Sequence, residues 1–70
     1  MNINGKTKIY GIIGHPIEHT LSPAMQNAAF IASGINAVYI PLEVAPGELH
    51  NAIKSIAILG ICGFNVTVPH

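Results

Sequence analysis

A loop near the amino end, GHPIEHTLSP over residues 14–23, carries the first residues suited to binding chemistry. Its hydroxyl residues Thr20 and Ser22 stand two apart, and a helix is predicted to begin directly after them. Hydroxyl groups beside the unsatisfied amides of a helix N-terminus form a site suited to a carboxylate. The alternative is that Ser22 serves only as the N-cap of that helix, and spacing alone favours this structural role.

A second polar motif, GFNVTVPH over residues 63–70, follows an apolar run at the other end of the chain. Side chains alternate along a strand, so Asn65 and Thr67 share one face, while Phe64 and Val66 point to the other. Two polar side chains on one face, near the carboxyl end of a strand, form a short row of hydrogen-bonding groups. The pattern leaves equally open that Thr67 is only a good strand former and that Asn65 bonds nearby backbone.

Strand-like and helical patterns alternate along the chain in the order β-α-β-α-β. The predicted strands cover residues 8–14, 37–42 and 61–68. This alternation predicts an α/β fold with a mainly parallel sheet, right-handed crossovers and helices on both faces. Residues 1–7 are expected to form a polar tail.

Proline and glycine mark the ends of both predicted helices. The first has Ser22 as its N-cap, proline at its first helical position and Gly34 as its stop. The second is expected to follow Ala45, begin at Pro46 and stop at Gly60. The apolar stripe of the first helix comprises Met25, Ala28, Ala29 and Ala32. The stripe of the second comprises Leu49, Ala52, Ile53 and Ile56.

Pro41 predicts the order of the strands. Proline cannot donate to a sheet ladder, so the second strand is expected at an edge and the strand order is 2-1-3. The first and third strands are then neighbours, and their carboxyl ends near Gly14 and Val68 open onto one crevice. Open α/β sheets bind ligands at such a switch point, so both polar motifs are expected to meet there.

Composition excludes several classes of partner. The net charge is zero, with three lysines and no arginine, so nucleic acid is not expected as a partner. No apolar run approaches the roughly 18 residues of a membrane span, and the start lacks the apolar core of a signal peptide. The single cysteine, Cys62, fits a reduced cytoplasm.

Metal and dinucleotide sites are not predicted within this chain. His15 and His19 are four apart, but Pro16 between them disfavours a helical metal-binding pair. Gly11 and Gly14 lack the third glycine and the short strand-to-helix turn of a phosphate-binding loop. We therefore expect no metal and no cofactor-binding residue in these 70 residues.

Charged residues make up 9% of the chain and apolar residues 50%, which is a low charge content for a free-standing domain of this size. We interpret this as a set of elements that further chain normally covers. An obligate oligomer is the alternative.

The two motifs together resemble the start of shikimate dehydrogenase. The resemblance covers residues 8–70 and includes LSPAMQNAAF over 21–30 and GINAVY over 34–39. It implies that residues 8–70 are the N-terminal part of the substrate-binding domain, with the NADP-binding Rossmann domain absent from this chain. The implied substrate-binding residues are Thr20, Ser22, Asn65 and Thr67.

In this resemblance, Thr20 and Ser22 hold the carboxylate of shikimate, and Asn65 and Thr67 line the pocket beside the ring. The family catalyses the reversible NADP-dependent reduction of 3-dehydroshikimate to shikimate in aromatic amino-acid (chorismate) biosynthesis. Its catalytic pair is a lysine and an aspartate. This chain has no aspartate, and the lysine is expected immediately after His70, so no catalytic residue lies in the chain.

The resemblance implies a cytoplasmic enzyme whose partner is a small-molecule substrate, and it leaves a homodimer open. The 70-residue chain alone is expected to be inactive. Thr20 departs from the commoner serine of the family, and its extra methyl group leaves open a quinate/shikimate dehydrogenase. A short non-catalytic binding or oligomerising paralogue is the other alternative.

Overall fold

The secondary structure follows the predicted order β-α-β-α-β in the computed structural model, which describes residues 2–67. The strands are β1 (Lys8–Gly14), β2 (Ala37–Glu43) and β3 (Gly63–Val66), and the helices are α1 (Ser22–Ser33) and α2 (Leu49–Leu59). All three strands are parallel and form one sheet in the order β2-β1-β3. The predicted fold class and strand order are confirmed, with β1 in the centre.

The edge strand β2 has its outer side covered at Tyr39 by a side chain of α1. The Oδ1 atom of Asn27 accepts the N–H of Tyr39 at 2.8 Å, and its Nδ2 donates to the carbonyl of Tyr39 at 2.9 Å. This carboxamide takes the place of a neighbouring strand, which protects part of an otherwise open edge. It also fixes α1 to the sheet.

The start of α1 differs from the prediction by one residue. Its N-cap is Leu21, so Ser22 is the first helical residue and the prediction that Ser22 is the N-cap is wrong. Leu21 already accepts the first helical bond, from the N–H of Met25 at 3.2 Å. The N–H of Ser22 donates to the hydroxyl oxygen of Thr20 at 3.3 Å, so a side chain ahead of the helix satisfies one of its free N–H groups. Gly34 ends the helix in the left-handed conformation, with φ 66°, as predicted.

The apolar stripe of α1 does not face this sheet. Met25 is 69% exposed and the three alanines of the stripe are exposed as well. The helix instead contacts the sheet through Asn27 and through Phe30, whose ring centroid lies 5.7 Å from that of Tyr10. The stripe is therefore a free surface within the described chain.

The start of α2 also differs from the prediction. The helix begins at Leu49 rather than Pro46, and its N-cap is Glu48 rather than Ala45. The N–H of Glu48 donates to the carbonyl of Ala45 at 3.0 Å, which closes a turn ahead of the helix. Gly47 within this turn has φ 92°, a conformation that a right-handed helix cannot include. The predicted stop at Gly60 is confirmed.

The core lies on both faces of the central strand. On the α1 side, an apolar cluster comprises Ile12, Ile17 and Tyr39, with Tyr10 and Phe30 packed against it. Ile13 points to the other face and is fully buried, and Ile56 of α2 is 7% exposed. Right-handed crossovers place α2 on that second face, opposite α1.

Several large apolar side chains remain at the surface of the described chain. Ile58 is 85% exposed, Leu21 74% and Leu59 72%. Within residues 2–67, neither helix has the length and apolar character needed to cross a membrane.

Candidate functional site

The strand β3 brings two of the predicted site residues to the carboxyl edge of the sheet. It is shorter than predicted, Gly63–Val66, although pairing with β1 continues on both sides of it. The N–H of Cys62 donates to the carbonyl of Ile9 at 2.7 Å, and the N–H of Thr67 donates to that of Ile13 at 2.8 Å. Val68, the predicted last residue of this strand, lies outside the described residues, as do Pro69 and His70.

Thr67 lies against the end of β1. An added β-carbon at Gly14 would collide with Cγ2 of Thr67 and would lie 2.9 Å from Cδ1 of Ile17. Gly14 therefore allows β1, the loop after it and the end of β3 to meet. The two polar motifs therefore meet at this contact, as the predicted strand order requires.

Asn65 is held by a side chain from the far edge of the sheet. Its Nδ2 donates to the hydroxyl oxygen of Tyr39 at 3.0 Å, across the central strand. Within residues 2–67, the Asn65 side chain bonds Tyr39 rather than nearby backbone. Asn65 and Tyr39 both lie on the α1 face, which Thr67 shares, so the predicted alternation along this strand is confirmed.

Thr20 and Ser22 are adjacent at the start of α1, and both are half-buried. The N–H of Thr20 donates to the carbonyl of Ile17 at 3.1 Å, which closes the loop onto the apolar cluster. The hydroxyl of Thr20 accepts the N–H of Ser22, while that of Ser22 makes no capping bond. The alternative that Ser22 serves as the N-cap of α1 is therefore wrong.

The two pairs of site residues are linked through the loop rather than by direct bonds. Ile17 accepts a hydrogen bond from Thr20 and lies with Thr67 against Gly14. Within residues 2–67, no hydrogen bond joins Thr20 or Ser22 to Asn65 or Thr67. The two pairs thus lie at the same edge of the sheet, with hydroxyl groups just ahead of α1 and an amide and a hydroxyl at the end of β3.

All four predicted site residues carry neutral side chains. The charged pair in the same loop, Glu18 and His19, lies at 3.5 Å with side chains 75% and 90% exposed, so it contributes little to the crevice. In the described part of the chain, no three His, Cys, Asp or Glu side chains are grouped so that they could hold a metal ion. Hydrogen bonding to a polar organic ligand is the chemistry that these residues offer.

Two residues that organise the site carried no sequence signal of that role. Asn27 and Tyr39 are 12 residues apart, and Tyr39 and Asn65 are 26 apart. The three residues lie on three different elements, α1, β2 and β3, so only the folded sheet brings them together. Residues near the amino end are also held, because the hydroxyl of Thr7 donates to Oδ1 of Asn36 at 2.8 Å.

A hollow of about 310 Å³ lies elsewhere, between the end of α1 and the start of β2. Its walls include Asn2, Phe30, Ile35 and Asn36, and none of the predicted site residues lines it. The carboxyl edge that carries both polar motifs is thus separate from this hollow.

Comparison with known proteins places this geometry in a family. The profile of the shikimate dehydrogenase substrate binding domain matches residues 12–70. The NADP(+) shikimate dehydrogenase of Rubrobacter xylanophilus is 53% identical over 68 residues, which are 97% of this chain and 24% of that protein. This chain therefore spans about a quarter of the length of the curated relatives that it matches.

Solved structures show the same relationship. A shikimate dehydrogenase crystallised in complex with NADP+ has a TM-score of 0.95 and 54% identity, over 99% of this chain and 24% of that one. The shikimate 5-dehydrogenase of Listeria monocytogenes, in complex with shikimate and NAD, has a TM-score of 0.93 and 37% identity. That match covers 100% of this chain and 24% of the Listeria chain. The chain belongs to the shikimate dehydrogenase substrate-binding domain family.

Proposed function

We propose that this chain is the N-terminal part of a shikimate dehydrogenase and that its carboxyl-edge crevice binds shikimate and 3-dehydroshikimate. The observation that carries the proposal is the meeting of both polar motifs at Gly14, at the switch point of a parallel sheet. The identity of 53% with a curated shikimate dehydrogenase supports the choice of substrate. In this proposal, residues 8–70 belong to the substrate-binding domain and residues 1–7 precede it.

The carboxylate of the substrate is assigned to the side of the crevice formed by Thr20 and Ser22. The hydroxyl of Ser22 has no hydrogen-bond partner within residues 2–67, so it can donate to an anionic oxygen. The hydroxyl of Thr20 accepts from the backbone, which leaves its own proton available for the same purpose. Hydrogen bonds to a charged group are stronger than neutral ones, and the nearby helix N-terminus adds a favourable field.

The ring hydroxyls of the substrate are assigned to Asn65 and Thr67. The Nδ2 of Asn65 is engaged by Tyr39, so its Oδ1 remains as an acceptor for a ring hydroxyl. Thr67 presents a hydroxyl that both donates and accepts. A neutral polyol ring beside a carboxylate matches a crevice with polar but uncharged walls.

The described loop between β1 and α1 does not fit a dinucleotide. The segment between β1 and α1 is a loop of residues 15–21 that folds onto the apolar cluster through Ile17, rather than a short glycine-rich turn. We assign NADP, which supplies the hydride when bound, to a Rossmann domain beyond these 70 residues. We likewise propose that the catalytic lysine directly follows His70. We expect the full-length protein to be cytoplasmic, and a homodimer is one of its expected oligomeric states.

The experiment is an assay of the full-length protein encoded by the gene that contains this sequence. We expect shikimate-dependent formation of NADPH from NADP+, and an in-frame lysine codon after that for His70. A stop codon at that position, with shikimate binding but no turnover, would instead support a short non-catalytic paralogue. Absence of both turnover and binding would contradict the proposal.

Quinate is a second candidate substrate, because the resemblance to the family implies a serine at the position where this chain has Thr20. The additional methyl group reshapes the carboxylate side of the crevice. The ratio of kcat/KM for quinate and shikimate, measured for the full-length protein and its Thr20→Ser variant, decides this point. A ratio that is the same in both proteins would show that the methyl group has no role in substrate choice.

A further inference from the structure

Tyr39 has a hydroxyl group that contacts one of the proposed substrate-binding residues without belonging to either polar motif. Its oxygen accepts the Nδ2 hydrogen of Asn65 at 3.0 Å. Resting on the proposed function, we infer that Tyr39 is a positioning residue, whose hydroxyl holds the amide of Asn65 in the orientation that binds substrate. Asn27 supports this role by fixing the backbone of Tyr39.

The Tyr39 side chain is well placed to hold another group because it is itself fixed. It is 5% exposed and packs with Ile12 and Ile17 in the apolar cluster. Its backbone N–H and carbonyl are both bonded to the side chain of Asn27, at 2.8 and 2.9 Å. The hydroxyl oxygen is therefore held at a defined point above the central strand.

Asn65 needs such an anchor because it is exposed within the described chain. An exposed asparagine samples several side-chain rotamers and both orientations of its amide, and substrate binding then has to select one of them. The bond to Tyr39 engages Nδ2 and leaves Oδ1 with no donor among residues 2–67. The bond therefore fixes the orientation of the Asn65 amide and presents its Oδ1 as an acceptor before the substrate binds.

The same bonds connect the two halves of the crevice. Asn27 lies on α1, the helix that begins at Ser22, while Asn65 lies on β3. Tyr39 on β2 is hydrogen-bonded to both residues, so a connected set of hydrogen bonds joins α1, β2 and β3. A loss of the tyrosine hydroxyl would release Asn65 without removing the ring from the core.

The test is a double-mutant cycle in the full-length protein, with Tyr39→Phe, Asn65→Ala and the double variant. We expect Tyr39→Phe to raise KM for shikimate roughly 2- to 10-fold, the range set by one neutral hydrogen bond, with little change in kcat. In the Asn65→Ala background, the tyrosine substitution should have almost no further effect. Independent, additive effects would overturn the positioning role, as would a wild-type KM in Tyr39→Phe.

Tyr10→Phe is the matched control. Tyr10 contributes to the same cluster and its ring contacts Phe30, but its hydroxyl has no hydrogen bond within residues 2–67. Removing the Tyr10 hydroxyl should leave the KM for shikimate unchanged. A rise in KM equal to that of Tyr39→Phe would indicate a general effect of losing a hydroxyl and would count against the proposal.

A measurement without substrate separates this inference from the proposed function. The side-chain NH₂ resonances of Asn65 in the ¹⁵N-labelled full-length protein are identified by their loss in Asn65→Ala. We expect Tyr39→Phe to shift them, and Tyr10→Phe to leave them in place. Unshifted resonances in Tyr39→Phe would disprove the bond, whereas shifted resonances in a protein without shikimate turnover would contradict the proposed function alone.

Discussion

The methyl group of Thr67 occupies the space that a β-carbon at Gly14 would need. Cδ1 of Ile17 lies 2.9 Å from the same position. The missing side chain at Gly14 thus allows the end of β3, the end of β1 and the loop before α1 to meet. These three segments carry or adjoin all of the proposed substrate-binding residues.

Gly14→Ala in the full-length protein should therefore disturb both folding and binding. The added carbon has no room, so Thr67 and Ile17 must shift, with an expected loss of about 1–3 kcal/mol in the free energy of unfolding. We expect a lower Tm and a lower kcat/KM for shikimate. Gly5→Ala is the control, because nothing lies within 4 Å of the added carbon there. An alanine at position 14 with wild-type Tm and kcat/KM would show that this contact is not needed.

Thr20→Val should weaken substrate binding while Thr20→Ser should not. Valine removes the hydroxyl assigned to the carboxylate, and we expect kcat/KM for shikimate to fall about tenfold to a hundredfold. It also removes the acceptor for the N–H of Ser22, at a cost of about 1 kcal/mol in stability. Thermal unfolding beside steady-state kinetics separates the two effects. Similar kinetics for the valine and serine variants would argue against a binding role for this hydroxyl.

Thr7→Val is the location control for the threonine variants. The hydroxyl of Thr7 donates to Asn36 at 2.8 Å, so we expect a small decrease in Tm. Thr7 lies at the amino end of β1, away from the crevice, and kcat/KM should stay at the wild-type value. A loss of kcat/KM here would indicate that the threonine variants act through general destabilisation.

The strand order was predictable because a single residue decides it. Pro41 cannot donate to a neighbouring strand, and β2 is indeed at the edge. Gly34 and Gly60 likewise end their helices as expected, because each takes a left-handed conformation that other residues adopt rarely. Each of these predictions depends on one residue type at one position, so the sequence alone is enough to make it.

The helix starts were less predictable because neighbouring residues compete for the same backbone groups. Ser22 is a good N-cap by type, yet the carbonyl of Leu21 accepts the first helical bond, so the helix begins one residue earlier than predicted, at Ser22. Pro46 suits the first turn of a helix, but Gly47 bends the chain before α2 begins. The bonds of Tyr39 to Asn27 and Asn65 depend on the folded sheet and have no local signal.

The 70-residue chain alone should show no dehydrogenase activity. Hydride transfer requires a nicotinamide held beside the substrate carbon, and the protein must supply that position. No described loop of this chain has the form of a dinucleotide site. The check is NADPH oxidation with 3-dehydroshikimate, using purified chain free of host enzyme. Turnover above a buffer blank would contradict the assignment of the cofactor to another domain.

The isolated chain should also associate through β3. The strand pairs with β1 on one side only, and Gly63–Val66 carries no charged side chain. Unpaired, uncharged edges of this kind bind further strands, so we expect oligomers or aggregates at micromolar concentration. Light scattering and a thermal melt provide the check. A monodisperse monomer with cooperative unfolding would mean that the edge is protected.

The most direct test of the proposed site is the kcat/KM for shikimate of Thr67→Val in the full-length protein. Valine keeps the methyl group that packs on Gly14 and replaces the hydroxyl with a methyl group of similar size. If that hydroxyl binds substrate, its loss costs about 1–3 kcal/mol, and kcat/KM should fall about tenfold to a hundredfold with Tm almost unchanged. A wild-type kcat/KM would mean that Thr67 is only a structural residue, and it would contradict the claim that the end of β3 forms part of the substrate site.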